Sequence, residues 1–152
     1  MKWYYWALLA LLVTGGGVVV YEKARGIRNN NPGNIRRSSD QWYGLAPVQT
    51  DDSFFQFSDP KYGIRALAKI LLNYERLYYL DTVRKIIKRW APGHENPTDS
   101  YVTYVAKAAG VGPDDTISVR AHLGDLVRAI IRFENGFNPY SDGVINEGVA
   151  MV

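Results

Sequence analysis

A helical pattern of apolar residues occupies the last third of the chain and ends in a glutamate. Apolar positions within residues 123–142 recur at spacings of three and four, which predicts a helix with one apolar face: Leu123, Leu126, Val127, Ile130 and Ile131. Glu134 continues that face, and Asn135-Gly136 follows it, glycine being common just past a helix end. We therefore predict that the Glu134 carboxylate lies in the last helical turn and points toward the core.

A glutamate in that position is a candidate general acid. Desolvation and the negative end of the helix dipole both oppose ionisation, so we expect a raised pKa for Glu134. A carboxylic acid that keeps its proton near neutral pH is what cleavage of a glycosidic bond requires. The alternative is that Glu134 turns to solvent or pairs with Arg128 or Arg132.

The same spacing predicts three earlier helices. They are a helix that opens at Tyr62-Gly63, a helix capped by Asp81 or Thr82, and a helix that is capped by Thr98 or Asp99 and ends at Gly110. Residues 91–97 are predicted to be a loop. Short alternating pieces at 42–45 and 53–57 predict a small β-hairpin, with Asp51-Asp52 between them. The fold class is therefore mainly α.

Residues 29–34, Asn-Asn-Asn-Pro-Gly-Asn, cannot form a regular helix or a central strand. They predict a structured loop whose asparagine amides both donate and accept hydrogen bonds. Such pairs suit the hydroxyl and N-acetyl groups of a sugar, although a plain surface turn is the simpler interpretation.

An uncharged apolar segment covers residues 3–21. Its length suits a transmembrane helix, and its aromatic ends suit the two membrane interfaces. Three consecutive glycines, Gly15 to Gly17, weaken a helix there by roughly 1 kcal/mol each relative to alanine. We predict an uncleaved N-terminal anchor over residues 1–22 that the bilayer holds only modestly. The basic residues that follow it would, by the positive-inside rule, place the domain in the cytoplasm.

Composition excludes several kinds of site. The net charge is +3 and there is no cysteine, so thiol nucleophiles, disulfides and cysteine-bound zinc are excluded, and nucleic-acid binding is not indicated. His94 and His122 are the only histidines, and they lie far apart with no metal-binding spacing. We predict neither a metal nor a cofactor.

Long motifs resemble phage-encoded proteins that degrade peptidoglycan. The run RGIRNNNPGNI at residues 25–35 is similar to a signature of those virion-associated and lysis proteins. The run Glu134-Asn135-Gly136-Phe137-Asn138-Pro139 resembles the end of the catalytic helix in lysozyme-like lytic transglycosylases. The apolar N-terminal segment resembles the signal-anchor-release segments of phage endolysins.

These resemblances imply a lysozyme-like domain over residues 23–152, circularly permuted because the Asn-rich loop precedes the Glu helix. They imply an endolysin, muramidase or lytic transglycosylase, whose substrate is the glycan strand of peptidoglycan. The protein would be a monomer on the periplasmic side of the host inner membrane, then released into the periplasm. This placement is opposite to the one that the flanking charges predict.

The candidate site follows from the same resemblance. Glu134 would be the catalytic acid, and Asp51, Asp52 or Glu22 would activate water if the enzyme were a hydrolase. The residues expected to bind substrate or line the cleft are Asn30, Asn31, Asn34, Trp90, Glu95, Asn96, Tyr101 and Tyr104. The rival from another class is a non-catalytic, membrane-anchored protein that binds the cell wall or builds the virion.

Overall fold

The computed structural model describes residues 25–92 and 96–152. Within them the chain forms six helices and no strand, which confirms the mainly helical prediction. The helices are α1 (Arg25–Arg28), α2 (Pro60–Tyr78), α3 (Val83–Trp90), α4 (Asn96–Ala109), α5 (Leu123–Asn135) and α6 (Asp142–Ala150).

Local sequence explains most helix ends. The Asp59 side chain caps α2 by accepting a hydrogen bond from the Lys61 backbone N–H, and Thr82 caps α3 in the same way at Lys85. Helix α5 ends at Gly136, which has the left-handed conformation (φ 76°) expected of a glycine there. Helix α4 begins two residues before the predicted cap, at Asn96.

One apolar core joins the five longer helices. Helix α2 packs against α5 and α6, and α4 packs against α3 and α5. Fully buried aliphatic side chains fill the space between them: Ile64, Leu67, Leu71, Ile86, Ile87, Leu126, Ile130, Ile131 and Ile145. Glu134 lies near the C-terminal end of α5, the helix that carries Leu126, Ile130 and Ile131 of this core.

The predicted β-hairpin is replaced by irregular chain. Two isolated antiparallel bridges, Arg36 with Phe54 and Leu45 with Phe57, stand where strands were expected. Here side-chain amides bond backbone groups that strands would otherwise pair. The Gln49 amide accepts from the Gln56 backbone N–H and donates to the Gln56 backbone carbonyl. The Gln56 amide oxygen in turn accepts from the backbone N–H groups of Thr50 and Asp51. These local bonds compete with a regular ladder.

No helix among the described residues is long and apolar enough to cross a membrane. The anchor predicted over residues 1–22 lies outside the described residues.

The Asn-rich loop is seated directly on α2. Gly63 of α2 packs against the carbonyl oxygen of Asn30, so closely that a Cβ at residue 63 would overlap that atom. Gly33 of the loop faces Trp90 at the end of α3, where a Cβ would lie 3.2 Å from the indole ring. A side chain at either glycine would push the loop away from the helices.

We predict that Gly63→Ala destabilises the protein by about 3 kcal/mol, the upper end for overpacking, because rigid backbone is the obstacle. Gly143→Ala in α6 is the matched control, since only the Ser141 hydroxyl lies near its Cβ position, at 3.7 Å. The control should leave stability unchanged or raise it by up to about 1 kcal/mol. Urea unfolding of both variants measures the difference, and equal stabilities would contradict this account of the loop.

Candidate active site

Glu134 turns inward, as predicted, and contacts three neutral side chains. Its Oε1 atom accepts hydrogen bonds from the Trp90 indole N–H at 3.1 Å and the Tyr101 hydroxyl at 3.0 Å. Its Oε2 atom accepts from the Asn34 amide Nδ2 at 3.5 Å. The loop, α3, α4 and α5 therefore converge on one carboxylate.

The alternative arginine pairing of Glu134 is not formed. Arg128 instead bonds Asp142 at 3.0 Å and Asn146 at 2.8 Å, both near the start of α6 or within it. Arg132, the other candidate, is solvent-exposed.

Burial dominates the electrostatics of Glu134. Burial raises the pKa of its carboxyl above the ordinary glutamate value, while the hydrogen bonds from Trp90, Tyr101 and Asn34 lower it by less. All three donors are uncharged at neutral pH, so none supplies the positive charge that would hold the carboxylate ionised. The site favours a proton-bearing acid.

Aromatic packing fixes the two donors to Oε1. The Tyr101 ring stacks on Phe133, with ring centroids 3.7 Å apart and planes 13° apart. Tyr104 leans on the same Phe133 ring at 5.7 Å, so it supports Tyr101 through Phe133. Trp90 is held against Gly33 and lies between the main core and a smaller cluster built around Phe55 and Phe57.

Of the loop asparagines predicted to bind sugar, only Asn34 reaches Glu134. Asn31 is completely buried. Its Nδ2 atom donates to the carbonyls of Ile35 and Phe55, and its Oδ1 atom accepts from the Ile35 backbone N–H. Asn30 donates to the carbonyl of Phe57 at 2.9 Å. These bonds argue against the sugar-binding role predicted for Asn31 and assign Asn30 and Asn31 to the loop framework.

Asp51, predicted as a candidate base, is engaged by several donors. Arg25 bonds both carboxylate oxygens at 2.6 Å, and Asn29 donates to one of them at 2.8 Å. The backbone N–H groups of Ser53 and Phe54 complete the set. Although burial opposes ionisation, these hydrogen bonds hold the pKa of Asp51 far below its usual range. Such a carboxylate is a weak base and a strong structural anchor.

The roles predicted for Glu22, Glu95 and Asn96 stay predictions. Glu22 and Glu95 lie outside the described residues, and Asn96 is the first residue of α4. No cluster of three or more metal-ligating side chains occurs in residues 25–92 and 96–152.

Sequence reasoning missed a second contact of the loop with α5. The Asn135 amide Nδ2 donates to the Pro32 carbonyl and to the Ile131 carbonyl, both at 2.8 Å. Asn135 directly follows Glu134 in the Glu-Asn-Gly-Phe-Asn-Pro motif. Residue spacing does not reveal that the Asn135 side chain is buried, so the contact was not predicted.

The chain is similar in sequence to a known phage protein. Over 132 residues the chain is 40% identical to Protein P5 of Pseudoalteromonas phage PM2, covering 85% of this chain and 82% of that protein. The chain belongs to the family of Protein P5. No protein-family model matches it. Membership of the P5 family supports the phage affinity that the motifs suggested.

Glu134→Gln should stabilise the folded P5-family domain at neutral pH. A carboxyl whose folded-state pKa is raised retains its proton longer in the native state, so its ionisation weakens folding as pH rises above the ordinary value of 4.5. We expect the variant to have the larger free energy of unfolding at pH 7 and the difference to shrink toward pH 4. Urea unfolding across this range measures it, with the exposed Glu147→Gln as control. A wild type that gains stability from Glu134 as pH rises would contradict the raised pKa.

Asp51→Asn should have the opposite effect. Asp51 has a lowered pKa, so its stabilising contribution is present at neutral pH and disappears as the carboxylate gains its proton in acid. We expect a loss of about 2 kcal/mol at pH 7, less than for a fully buried pair, because the Arg25 side chain is 47% exposed. The neighbouring Asp52→Asn is the control, and equal effects of the two variants on urea unfolding would contradict the anchoring role.

Proposed function

We propose that the protein is a phage endolysin that cleaves the glycan strand of peptidoglycan, with Glu134 as the general acid. The observation that carries the proposal is the partly buried, inward-facing Glu134 carboxyl, held by the Asn34, Trp90 and Tyr101 side chains with no cation among those partners. Raised carboxyl pKa values are typical of acid catalysts in glycoside cleavage.

The chemistry requires one proton transfer to the leaving oxygen. Glu134 gives its proton to the glycosidic oxygen as the bond from C1 of N-acetylmuramic acid to that oxygen breaks. In a lytic transglycosylase the Glu134 carboxylate then takes the proton of the muramoyl 6-hydroxyl, whose oxygen bonds to C1 and closes a 1,6-anhydro ring. The acid is regenerated and no water is consumed.

The environment of Asp51 favours this form over hydrolysis. An inverting hydrolase needs a second carboxylate to activate water, and a retaining one needs a carboxylate nucleophile. Asp51 is bound by Arg25, Asn29 and two backbone N–H groups, which makes it a poor base. A transglycosylase needs only Glu134.

The proposed setting follows from the phage relative and the apolar N-terminal segment. Residues 3–21 would carry the lysozyme-like domain across the host inner membrane and hold it on the periplasmic side until release. The partners are then the peptidoglycan glycan strand and the membrane, the protein acts as a monomer, and neither a cofactor nor nucleic acid is required.

A non-catalytic role in wall binding or virion structure is the second candidate. Three consecutive residues at the end of α2, Leu77, Tyr78 and Tyr79, are exposed, and exposed apolar residues are common on binding surfaces. In that case Glu134 would only hold the loop to α5.

Digestion of purified peptidoglycan by the full-length chain in mild detergent separates these candidates. We expect wild type and Glu147→Gln to release muropeptides, and Glu134→Gln to be slower by about 10²–10⁴-fold, the usual contribution of a general acid. Mass spectrometry of the products should show 1,6-anhydro ends.

Equal activity of Glu134→Gln and wild type would contradict the role of Glu134. Sedimentation of wild type with peptidoglycan without release of muropeptides would favour the binding role. Reducing ends in place of anhydro ends would show a hydrolase.

A further inference from the structure

One buried polar atom beside the site lacks a hydrogen-bond partner. The amide oxygen Oδ1 of Asn135 is buried and receives no hydrogen bond in the described part of the chain, although the Nδ2 atom of the same amide makes two. A buried acceptor without a donor destabilises the folded state. A donor near this oxygen would therefore stabilise the site.

The side-chain amides of Asn34 and Asn135 both approach Gly26 of α1. A Cβ on Gly26 would lie 2.7 Å from the Asn135 Oδ1 atom and 2.7 Å from the Asn34 Oδ1 atom. Two amide oxygens therefore border the same small volume, and neither can donate to the other. Glycine at residue 26 leaves room for both.

We propose that Asn34 is a proton-dependent positioning residue, whose amide turns over when Glu134 gains its proton. In the structure Asn34 Nδ2 donates to Oε2, which is the direction that suits an ionised Glu134. With Glu134 protonated, a half-turn about χ2 brings Asn34 Oδ1 to the Oε2 hydroxyl and Nδ2 toward the Asn135 oxygen. The turned amide then accepts from Glu134 and donates to the unsatisfied acceptor.

The donors to Oε1 determine which oxygen carries the proton. Oε1 already accepts from Trp90 and Tyr101, whose single N–H and O–H groups point at it. Among residues 25–92 and 96–152, the hydrogen bond found for Oε2 is the long 3.5 Å contact with Asn34. The proton therefore resides on Oε2, and a leaving-group oxygen must approach from that side.

The other groups that face the carboxyl do not provide this coupling. In the described part of the chain, hydrogen bonds reach the carboxyl from Trp90 of α3, Tyr101 of α4 and Asn34 of the loop, which are all neutral side chains. On the packed helices, Arg25 of α1 is bound by Asp51, and Arg128 of α5 is bound by Asp142.

The test is an NMR titration of the full-length chain in detergent, labelled at the glutamate carboxyl carbons and the asparagine side-chain nitrogens. In wild type, the Asn34 side-chain amide signal should move with pH at the same midpoint as the Glu134 carboxyl. In Glu134→Gln it should not respond. This readout needs no substitution at Asn34, so a folding defect there cannot obscure it.

Two variants give opposite expected shifts. Asn34→Gly removes the amide and suits the positive φ of 50° at this residue. It should lower the Glu134 midpoint by about half to one pH unit, the size of one or two hydrogen bonds. Tyr101→Phe removes a donor to the ionised form and should raise the midpoint.

If the Asn34 amide were fixed and only donated to the carboxylate, it would stabilise the ionised form. Asn34→Gly would then raise the Glu134 midpoint. A raised or unchanged Glu134 midpoint in that variant, or an Asn34 amide signal that ignores pH, would overturn the proposal. The role of Asn34 in catalysis rests on the proposed function, but the titration does not. An inactive wild type with coupled Asn34 and Glu134 titrations would refute the proposed function alone.

Discussion

The seating of residues 29–34 between α2 and α5 is the constraint on which the rest of the structure depends. Gly63 lets the loop backbone rest on α2, and Asn135 ties Pro32 to the end of α5. Inside the loop, the Asn31 side chain bonds backbone groups of Ile35 and Phe55 and so links these two segments. Only with the loop in this position can Asn34 reach Glu134, 100 residues later in the chain.

The surroundings of two carboxylates near this loop shift their pKa values in opposite directions. Asp51 meets a guanidinium and two backbone N–H groups, so it stays charged and anchors α1 to the chain around residue 53. Glu134 meets an indole, a phenol and an amide, and burial raises its pKa. Such a separation of two carboxyl groups by environment is how acid catalysis is arranged at neutral pH. This separation supports the acid role proposed for Glu134, and the bonds to Asp51 give that carboxylate a structural role.

Sequence patterns predicted the parts of this molecule that depend on local spacing. The helix end at Gly136, the cap at Thr82 and the inward position of Glu134 each follow from a few neighbouring residues. The partners of each asparagine do not, because Asn31 and Asn34 have the same chemistry and differ only in what the folded chain brings to them. The same holds for Asn135, whose acceptors include Pro32, more than 100 residues earlier. The hairpin prediction was wrong for a local reason. The Gln49 side chain bonds the Gln56 backbone, and a pattern of strand propensity does not reveal such bonds.

A crystal structure of full-length Glu134→Gln with a bound peptidoglycan glycan fragment tests the central claim most directly. Trp90 and Tyr101 will orient the oxygen of the introduced amide, which leaves the amide nitrogen in the position of the acidic Oε2 atom. If Glu134 is the acid, this nitrogen lies about 2.6–3.2 Å from a glycosidic oxygen between N-acetylmuramic acid and N-acetylglucosamine. A glycan bound elsewhere on the domain, with no glycosidic oxygen near residue 134, would contradict it.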